Sequence, residues 1–285
     1  MLKGENVIIK EVKKCATHPE FQKKRIYYFD LLRTVAIFFV VIIHCTAAHF
    51  ETLSPESRSW LVANLFESIS RWAVPVFIMI SGALLLGKKR DLSTFFKKNV
   101  LKIAIILVSW NFIYGVVSLI NGSSLSDFIY NVIAGHYHLW FLYMLLGLYI
   151  LTPYIRRFLK DSERLELFLL ISFIFGIALP ELVDVMAALS PRLTSVRSGL
   201  EHALELIGFG RLLGYSFYFV LGYYLHRKKL RKKQKWFYLA GVIGLLLTFF
   251  ATWCLSIIVG SPSVVFLKDL TINNVLMSAG VFVFC

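Results

Sequence analysis

The stretch FDLLRTVAIFFVVIIHC, residues 29–45, has the composition of a membrane-spanning helix but contains two side chains that hydrocarbon disfavours. Arg33 is a permanent cation, and His44 is an imidazole that titrates near neutral pH. A charged group at membrane depth is costly, so each one is by default a functional-site hypothesis. The stretch therefore predicts both a membrane-spanning helix and a functional site along it.

The composition extends the membrane prediction to the whole chain. Of the 285 residues, 58% are hydrophobic and only 17% are charged, whereas soluble domains have about 25% charged residues. The apolar residues come in blocks of about 20, the length that crosses a hydrocarbon core. We predict an all-α polytopic membrane helix bundle with about eight spans, at 29–49, 61–86, 99–120, 138–154, 165–187, 210–226, 236–259 and from about 272 onward.

The two ends of the chain differ from the spans between them. Residues 1–28 form a basic arm ahead of the first span. The eighth apolar run reaches Cys285 after about 14 residues, or ~21 Å of helix, which is less than the ~30 Å hydrocarbon core. We therefore expect residues 29–285 to form a transmembrane domain that is incomplete at its C-terminus.

Lysine and arginine alternate along the chain in a way that predicts orientation. Twenty-three of them lie in the N-terminal arm and in three segments between spans, 87–98, 155–164 and 226–235. Only four lie in the alternate segments 50–60, 121–137, 188–209 and 260–271. The positive-inside rule then places the N-terminus in the cytoplasm. Contact of these segments with anionic lipids accounts for the net charge of +14, so no nucleic-acid partner is predicted.

Four basic residues fall within the spans or at their edges: Arg33, Arg71, Lys102 and Arg211. Lys102 and Arg211 are near span ends, where they either extend to the headgroups or belong to a site. Arg33 either binds a ligand or pairs locally with Asp30, three residues earlier.

The spacing of Arg33 and His44 suggests a role for both. Eleven residues at about 100° each end about 20° past three full turns, so the two side chains share one helix face ~16 Å apart. A guanidinium binds phosphate in a bidentate way, and an imidazole accepts a proton from a hydroxyl near neutral pH. A phosphopantetheine arm has a similar length, so an acyl-CoA could place its phosphates near Arg33 and its thioester near His44. A structural histidine is the alternative for His44.

Three blocks of sequence resemble the acyltransferase-3 family of integral membrane acyltransferases. They are the R-x10-H pattern in YFDLLRTVAIFFVVIIH (28–44), RWAVPVFIMISGALLL (71–86) and HYHLWFLYMLLGLYILTPYIRR (136–157). The resemblance implies transfer of an acyl group, with acetyl the first candidate, from cytoplasmic acyl-CoA to a hydroxyl of a bacterial surface polysaccharide or lipid-linked sugar. It also implies a multi-pass protein of the bacterial plasma membrane with acyl-CoA as co-substrate and no bound cofactor. Family members typically have about ten spans, each of the ~20 residues that cross a bilayer.

The sequence departs from the family where the chain enters the third span. The family commonly has an R-x-x-R pair there, whereas this chain has Asn99 and Lys102, with Lys98 just before them. Lysine can hold a phosphate as a point charge but lacks the planar fork of arginine. The donor contacts that the resemblance implies are therefore Arg33 together with Lys98 or Lys102.

Candidate acceptor contacts are Glu67, Arg71, His138 and Trp140. Glu67 and Arg71 are four residues apart in the second span, where a purely structural ion pair is the alternative. Trp140 lies at the predicted membrane surface, where an interfacial aromatic belt explains it without a sugar. No metal site is predicted, because the histidines lack metal-ligand spacing.

Two functions remain open on the sequence alone. In the first, the protein is a membrane O-acyltransferase with His44 as general base or transient acyl carrier and Arg33 as donor clamp. In the second, it is a transporter or flippase for an anionic or sugar-linked substrate, and the same charges line its path. The sequence shows no internal repeat of the kind on which many transporters are built, which favours the enzyme.

Overall fold

The computed structural model describes residues 27–88, 91–159, 161–206, 211–228 and 233–284. It is 87% helical, with no strand in the described part of the chain. The all-α prediction is thus confirmed. Residues 1–26 of the predicted N-terminal arm lie outside the described residues.

The described ranges contain thirteen α-helices. They are α1 Tyr27–Thr52, α2 Arg58–Ser70, α3 Ala73–Leu85, α4 Leu92–Phe95, α5 Leu101–Ile120, α6 Leu125–Ala134, α7 Trp140–Phe158, α8 Ser162–Phe173, α9 Leu179–Leu189, α10 Thr194–Leu206, α11 Arg211–Arg227, α12 Gln234–Val259 and α13 Ile272–Phe284. Two π-helical turns, Phe96–Val100 and Ile174–Ala178, continue α4 into α5 and α8 into α9.

Six helical segments within the described residues are long and apolar enough to cross a bilayer: Tyr27–Thr52, Arg58–Leu85, Leu92–Ile120, Leu125–Phe158, Ser162–Leu189 and Gln234–Val259. They support the prediction of a polytopic membrane bundle. Two other predicted spans correspond to shorter helices, α11 with 17 residues and α13 with 13. A helix needs about 17 residues or more to cross the core, which α11 just reaches and α13 does not, so the count of eight stays a prediction.

Two helices occupy segments that the sequence places between spans. α6 begins at a capping box, in which Ser124 and Asp127 bond each other's backbone N–H at 3.0 and 3.2 Å. It ends at Gly135, whose φ of 77° is in the region that favours glycine. α10 is the second of these helices, and each is shorter than a bilayer crossing.

The centre of the bundle is the close packing of α3 against α11. A Cβ atom at Gly82 would overlap the carbonyl oxygen of Phe219, and one at Gly222 would overlap that of Met79. The two backbones therefore touch at two points, which only glycine allows. Buried apolar side chains of both helices surround these contacts.

Contacts between helices distinguish two ends of the bundle. We call the end at which α1 begins the basic end. There, the Tyr28 hydroxyl lies 2.9 Å from His226 Nδ1 at the end of α11, and Arg156 Nε donates to the Leu85 carbonyl at 3.0 Å. At the opposite end, Trp60 Nε1 donates to the Phe50 carbonyl at 3.0 Å and joins α2 to α1.

Candidate active site

One helix carries both residues of the predicted catalytic pair. α1 is continuous from Tyr27 to Thr52, so Arg33 and His44 lie on one face about 16 Å apart along its axis. Arg33 is near the basic end, and His44 is toward the opposite end. His44 is exposed on the bundle, where a substrate could reach its imidazole.

Arg33 lines a cavity of about 480 Å³ at the basic end, which we call the Arg33 cavity. Two further cations, Lys88 and Lys98, line it with Ser81, Leu84, Leu85, Asn99 and Tyr149. Arg33 Nη1 is 3.8 Å from Asp30 Oδ1, and both side chains are 39% exposed. An exposed pair at that distance holds the guanidinium only weakly, so its donors can serve an anionic ligand. Three cations around one cavity suit phosphate groups.

Of the two predicted lysines, the structure brings one to Arg33. Lys98 and Asn99 lie on the π-helical turn Phe96–Val100 and both line the Arg33 cavity. Asn99 Nδ2 donates to the Phe95 carbonyl at 3.0 Å, so this amide is occupied locally. Lys102 is exposed one helical turn further along and is not among the residues that line this cavity. Its predicted donor contact stays a prediction.

A second predicted residue lies beside His44. The rings of His44 and His138 are edge to face, with centroids 5.5 Å apart. His138 belongs to the 3₁₀ turn Tyr137–Leu139, and its ring stacks on that of His136 with centroids 4.9 Å apart. The structure therefore places a row of three imidazoles at the opposite end of the bundle.

Trp140 lies between two further cavities at this opposite end. One, of about 590 Å³, is the Arg71 cavity, and it is lined by Arg71, Trp140, Arg211, Tyr215 and Asp269 among others. The other, of about 420 Å³, shares Trp140, Arg211 and Tyr215 and is also lined by His136. The rings of Trp140 and Tyr215 are 5.6 Å apart, so aromatic faces and charged groups border the same space.

Glu67 and Arg71 form an ion pair that is also part of the site. Glu67 is fully buried, pairs with Arg71 and accepts a hydrogen bond from Thr46 Oγ1 at 2.6 Å. Thr46 is two residues beyond His44 on α1, so the pair fixes α2 against this part of the helix. Arg71 also lines the Arg71 cavity, and its predicted contact with an acceptor stays a prediction beside the observed ion pair.

The sequence did not single out Tyr215 and Asp269. The Tyr215 hydroxyl donates to Asp269 Oδ2 at 3.2 Å. Burial raises the pKa of the Asp269 carboxyl, while Arg71 and the Tyr215 hydroxyl oppose the rise. A tyrosine in an apolar run and an aspartate in a polar segment are both ordinary, so no sequence signal marked them. Arg211 did give a signal, as a basic residue at a span edge.

Comparison with known proteins identifies the family. A family model described as Acyltransferase domain matches residues 26–285. The chain belongs to the acyltransferase-3 family. No curated protein and no solved structure matches it. Membership of the acyltransferase-3 family, together with the apolar helices, makes the chain a membrane acyltransferase.

The acyltransferase-3 assignment gives the observed geometry a chemical context. The family match includes the whole of α1 and therefore Arg33 and His44. Within the ranges described, no three His, Cys, Asp or Glu side chains form a group that could hold a metal ion. The groups available for chemistry at this site are the cations of the Arg33 cavity and the imidazoles at the opposite end.

Proposed function

We propose that this acyltransferase moves an acetyl group from cytoplasmic acetyl-CoA to a hydroxyl of a cell-surface or lipid-linked carbohydrate. The observation that carries the proposal is the position of Arg33 and His44 on one face of α1, about 16 Å apart, with a cationic cavity around the first. We further propose that the protein lies in the bacterial plasma membrane with its N-terminus in the cytoplasm.

The donor would bind along α1. Its phosphates contact Arg33 and Lys98 in the Arg33 cavity, where a guanidinium offers paired donors and an ammonium adds a point charge. The pantetheine arm then follows α1 toward the opposite end and brings the thioester to His44. The acyl group thereby lies about 16 Å along α1 from the phosphates, about half of the ~30 Å core, while the nucleotide stays at the basic end.

His44 would act on the acceptor hydroxyl as general base. The imidazole takes the hydroxyl proton as the acceptor oxygen attacks the thioester carbonyl carbon. The tetrahedral intermediate then breaks its carbon–sulfur bond, and the departing thiolate takes the proton from the imidazolium. The products are an ester on the carbohydrate and free CoA.

The acceptor would lie between His44 and the aromatic cavities beside it. His138 contacts His44 and can hydrogen-bond a sugar hydroxyl, while Trp140 offers a ring on which a sugar can stack. Arg71, held by Glu67, supplies further hydrogen-bond donors at the rim of the Arg71 cavity. Membership in an acyltransferase family favours this enzyme over the transporter that the sequence left open.

Transfer of label tests the proposal directly. Purified protein is incubated with radiolabelled acetyl-CoA and extracted cell-surface glycans, with His44→Ala as the matched control. We expect label in the glycan fraction with the unchanged protein and background label with the variant. A reaction without glycan distinguishes a general base from a transient acyl carrier at His44. A transient acyl carrier would retain label on the protein, whereas a general base would not. Protein that binds acetyl-CoA but transfers label to no glycan would contradict the proposed acceptor class.

Orientation is tested by cysteine labelling from outside the cell. In a chain whose native cysteines are replaced by alanine, a thiol reagent that does not cross membranes should label Leu125→Cys and not Leu230→Cys. The expectation follows from the 23 basic residues on one set of segments and four on the other. Both positions should react after the cells are permeabilised. Labelling of only Leu230→Cys in intact cells would reverse the orientation and place His44 near the cytoplasm.

A further inference from the structure

A second cationic cavity lies at the basic end, beside the Arg33 cavity. It has a volume of about 630 Å³, and we call it the Arg157 cavity. Lys88 lines both cavities, so the two share a wall. The volume is within the range of about 300–1,000 Å³ that is typical of small-molecule sites.

The charge of the Arg157 cavity is strongly positive. Four cations line it, Lys88, Arg156, Arg157 and Arg227, against one acid, Asp91. Asp91 is already engaged, because its carboxylate accepts the Thr94 N–H at 2.8 Å at the start of α4. Among the described residues that line the cavity, four cations thus outnumber one acid.

The arginines differ in how firmly they are held. Arg156 donates to the Leu85 carbonyl at 3.0 Å and lies over the Phe95 ring at 4.7 Å, so it belongs to the wall. Arg157 and Arg227 are exposed, and neither forms an ion pair with an acid of the described residues. No described acid therefore neutralises their guanidinium groups, which can bind an anion in the cavity.

The same cavity has apolar and aromatic walls. Pro153 and Tyr223 line it, and Arg227 Nη1 donates to the Tyr223 hydroxyl at 3.3 Å. A planar base can stack on a tyrosine ring while a guanidinium binds a nearby phosphate. The combination of cations with an aromatic wall suits a phosphorylated nucleoside, whereas a lipid headgroup requires only the charge.

We propose that the Arg157 cavity binds the 3′-phosphoadenosine end of acyl-CoA. Arg157 and Arg227 contact the 3′-phosphate, and Tyr223 packs against the adenine. The diphosphate then lies toward the Arg33 cavity, past the shared Lys88. This inference rests on the proposed function, since it assigns a second subsite to the same donor.

The test uses 3′-dephospho-CoA, which differs from CoA only by the missing 3′-phosphate. Affinities of CoA and 3′-dephospho-CoA are measured by calorimetry on the detergent-solubilised protein. The unchanged protein should bind CoA about ten- to 100-fold more tightly, as expected for loss of a charge-assisted hydrogen bond. Arg157→Gln should weaken CoA binding about tenfold or more and leave the affinity for 3′-dephospho-CoA unchanged. Arg227→Gln provides a second variant with the same expected pattern.

The matched control is Arg164→Gln. Arg164 is exposed in the first turn of α8 and pairs with Asp161 at 3.2 Å, but it is not among the residues that line the Arg157 cavity. The Arg164→Gln variant should leave the affinities for CoA and for 3′-dephospho-CoA unchanged. Equal affinity of the unchanged protein for the two ligands would overturn the inference, as would an equal loss of both in Arg157→Gln. Loss of co-purifying phosphatidylglycerol from Arg157→Gln, with no change in CoA binding, would assign the cavity to a lipid instead.

Failure of this inference is distinguishable from failure of the proposed function. If CoA binds and the binding depends on Arg33 but not on the 3′-phosphate, only the Arg157 subsite is wrong. If neither CoA nor 3′-dephospho-CoA binds, the proposed donor is wrong. Both the proposed function and the Arg157 subsite are then contradicted.

Discussion

His44→Ala is expected to lower the rate of acyl transfer by about 10²–10⁴-fold, the usual contribution of a general base. The imidazole is the exposed acid–base group that shares the face of α1 with Arg33, and its ring contacts His138. Because the proposed phosphate site at Arg33 is about 16 Å away, the affinity for acetyl-CoA should be nearly unchanged. The rate is measured as transfer of radiolabel to glycan, and the affinity by calorimetry.

The matched control for this prediction is His49→Ala. His49 is an exposed histidine in the last turn of the same helix, so its replacement tests for a general effect on α1. It should keep nearly full activity. If His44→Ala retained more than half of the normal rate, His44 would have no part in the reaction.

Arg33→Lys is expected to weaken acetyl-CoA binding by about ten- to 150-fold, because the charge remains but the bidentate phosphate contact is lost. Arg33→Ala should weaken binding at least as much. Calorimetry on the detergent-solubilised variants measures both effects. The same losses of affinity should appear in the His44→Ala background, since we propose that donor binding and proton transfer use different ends of α1.

Asp30→Ala separates a donor clamp from a local ion pair. Asp30 is the acid 3.8 Å from Arg33, and an exposed helix pair of this kind contributes only ~0.2–0.5 kcal/mol. A clamp predicts that Asp30→Ala leaves donor affinity nearly unchanged. If Asp30→Ala reproduced the loss seen in Arg33→Ala, or if Arg33→Ala bound acetyl-CoA normally, Arg33 would be structural.

The fold was predictable where the apolar pattern is strong. The long apolar runs correspond to the six helical segments that can cross a bilayer. The prediction was less complete for α6 and α10, because short amphipathic helices between spans resemble polar connections in a hydropathy pattern. The span predicted at 210–226 agrees closely with α11, Arg211–Arg227.

The candidate site was predictable only along a single helix. The period of the α-helix gave the shared face of Arg33 and His44 without any knowledge of the neighbouring helices. The helical period could not predict whether Lys98 or Lys102 would lie near Arg33. That depends on how the π-helical turn Phe96–Val100 packs. The Tyr215–Asp269 contact joins residues 54 positions apart, and only the assembled bundle reveals it.

The glycine contacts between α3 and α11 have a consequence for motion. Because the backbones touch at Gly82 and Gly222, any sliding or tilting of one helix against the other would drive main-chain atoms together. We expect these two helices to move as one rigid unit. α3 contributes Ser81, Leu84 and Leu85 to the Arg33 cavity, so that wall stays fixed. If the donor binds in the Arg33 cavity as proposed, we expect its admission and the release of CoA to come from displacement of the opposite walls, on α1 and on the π-helical turn that carries Lys98.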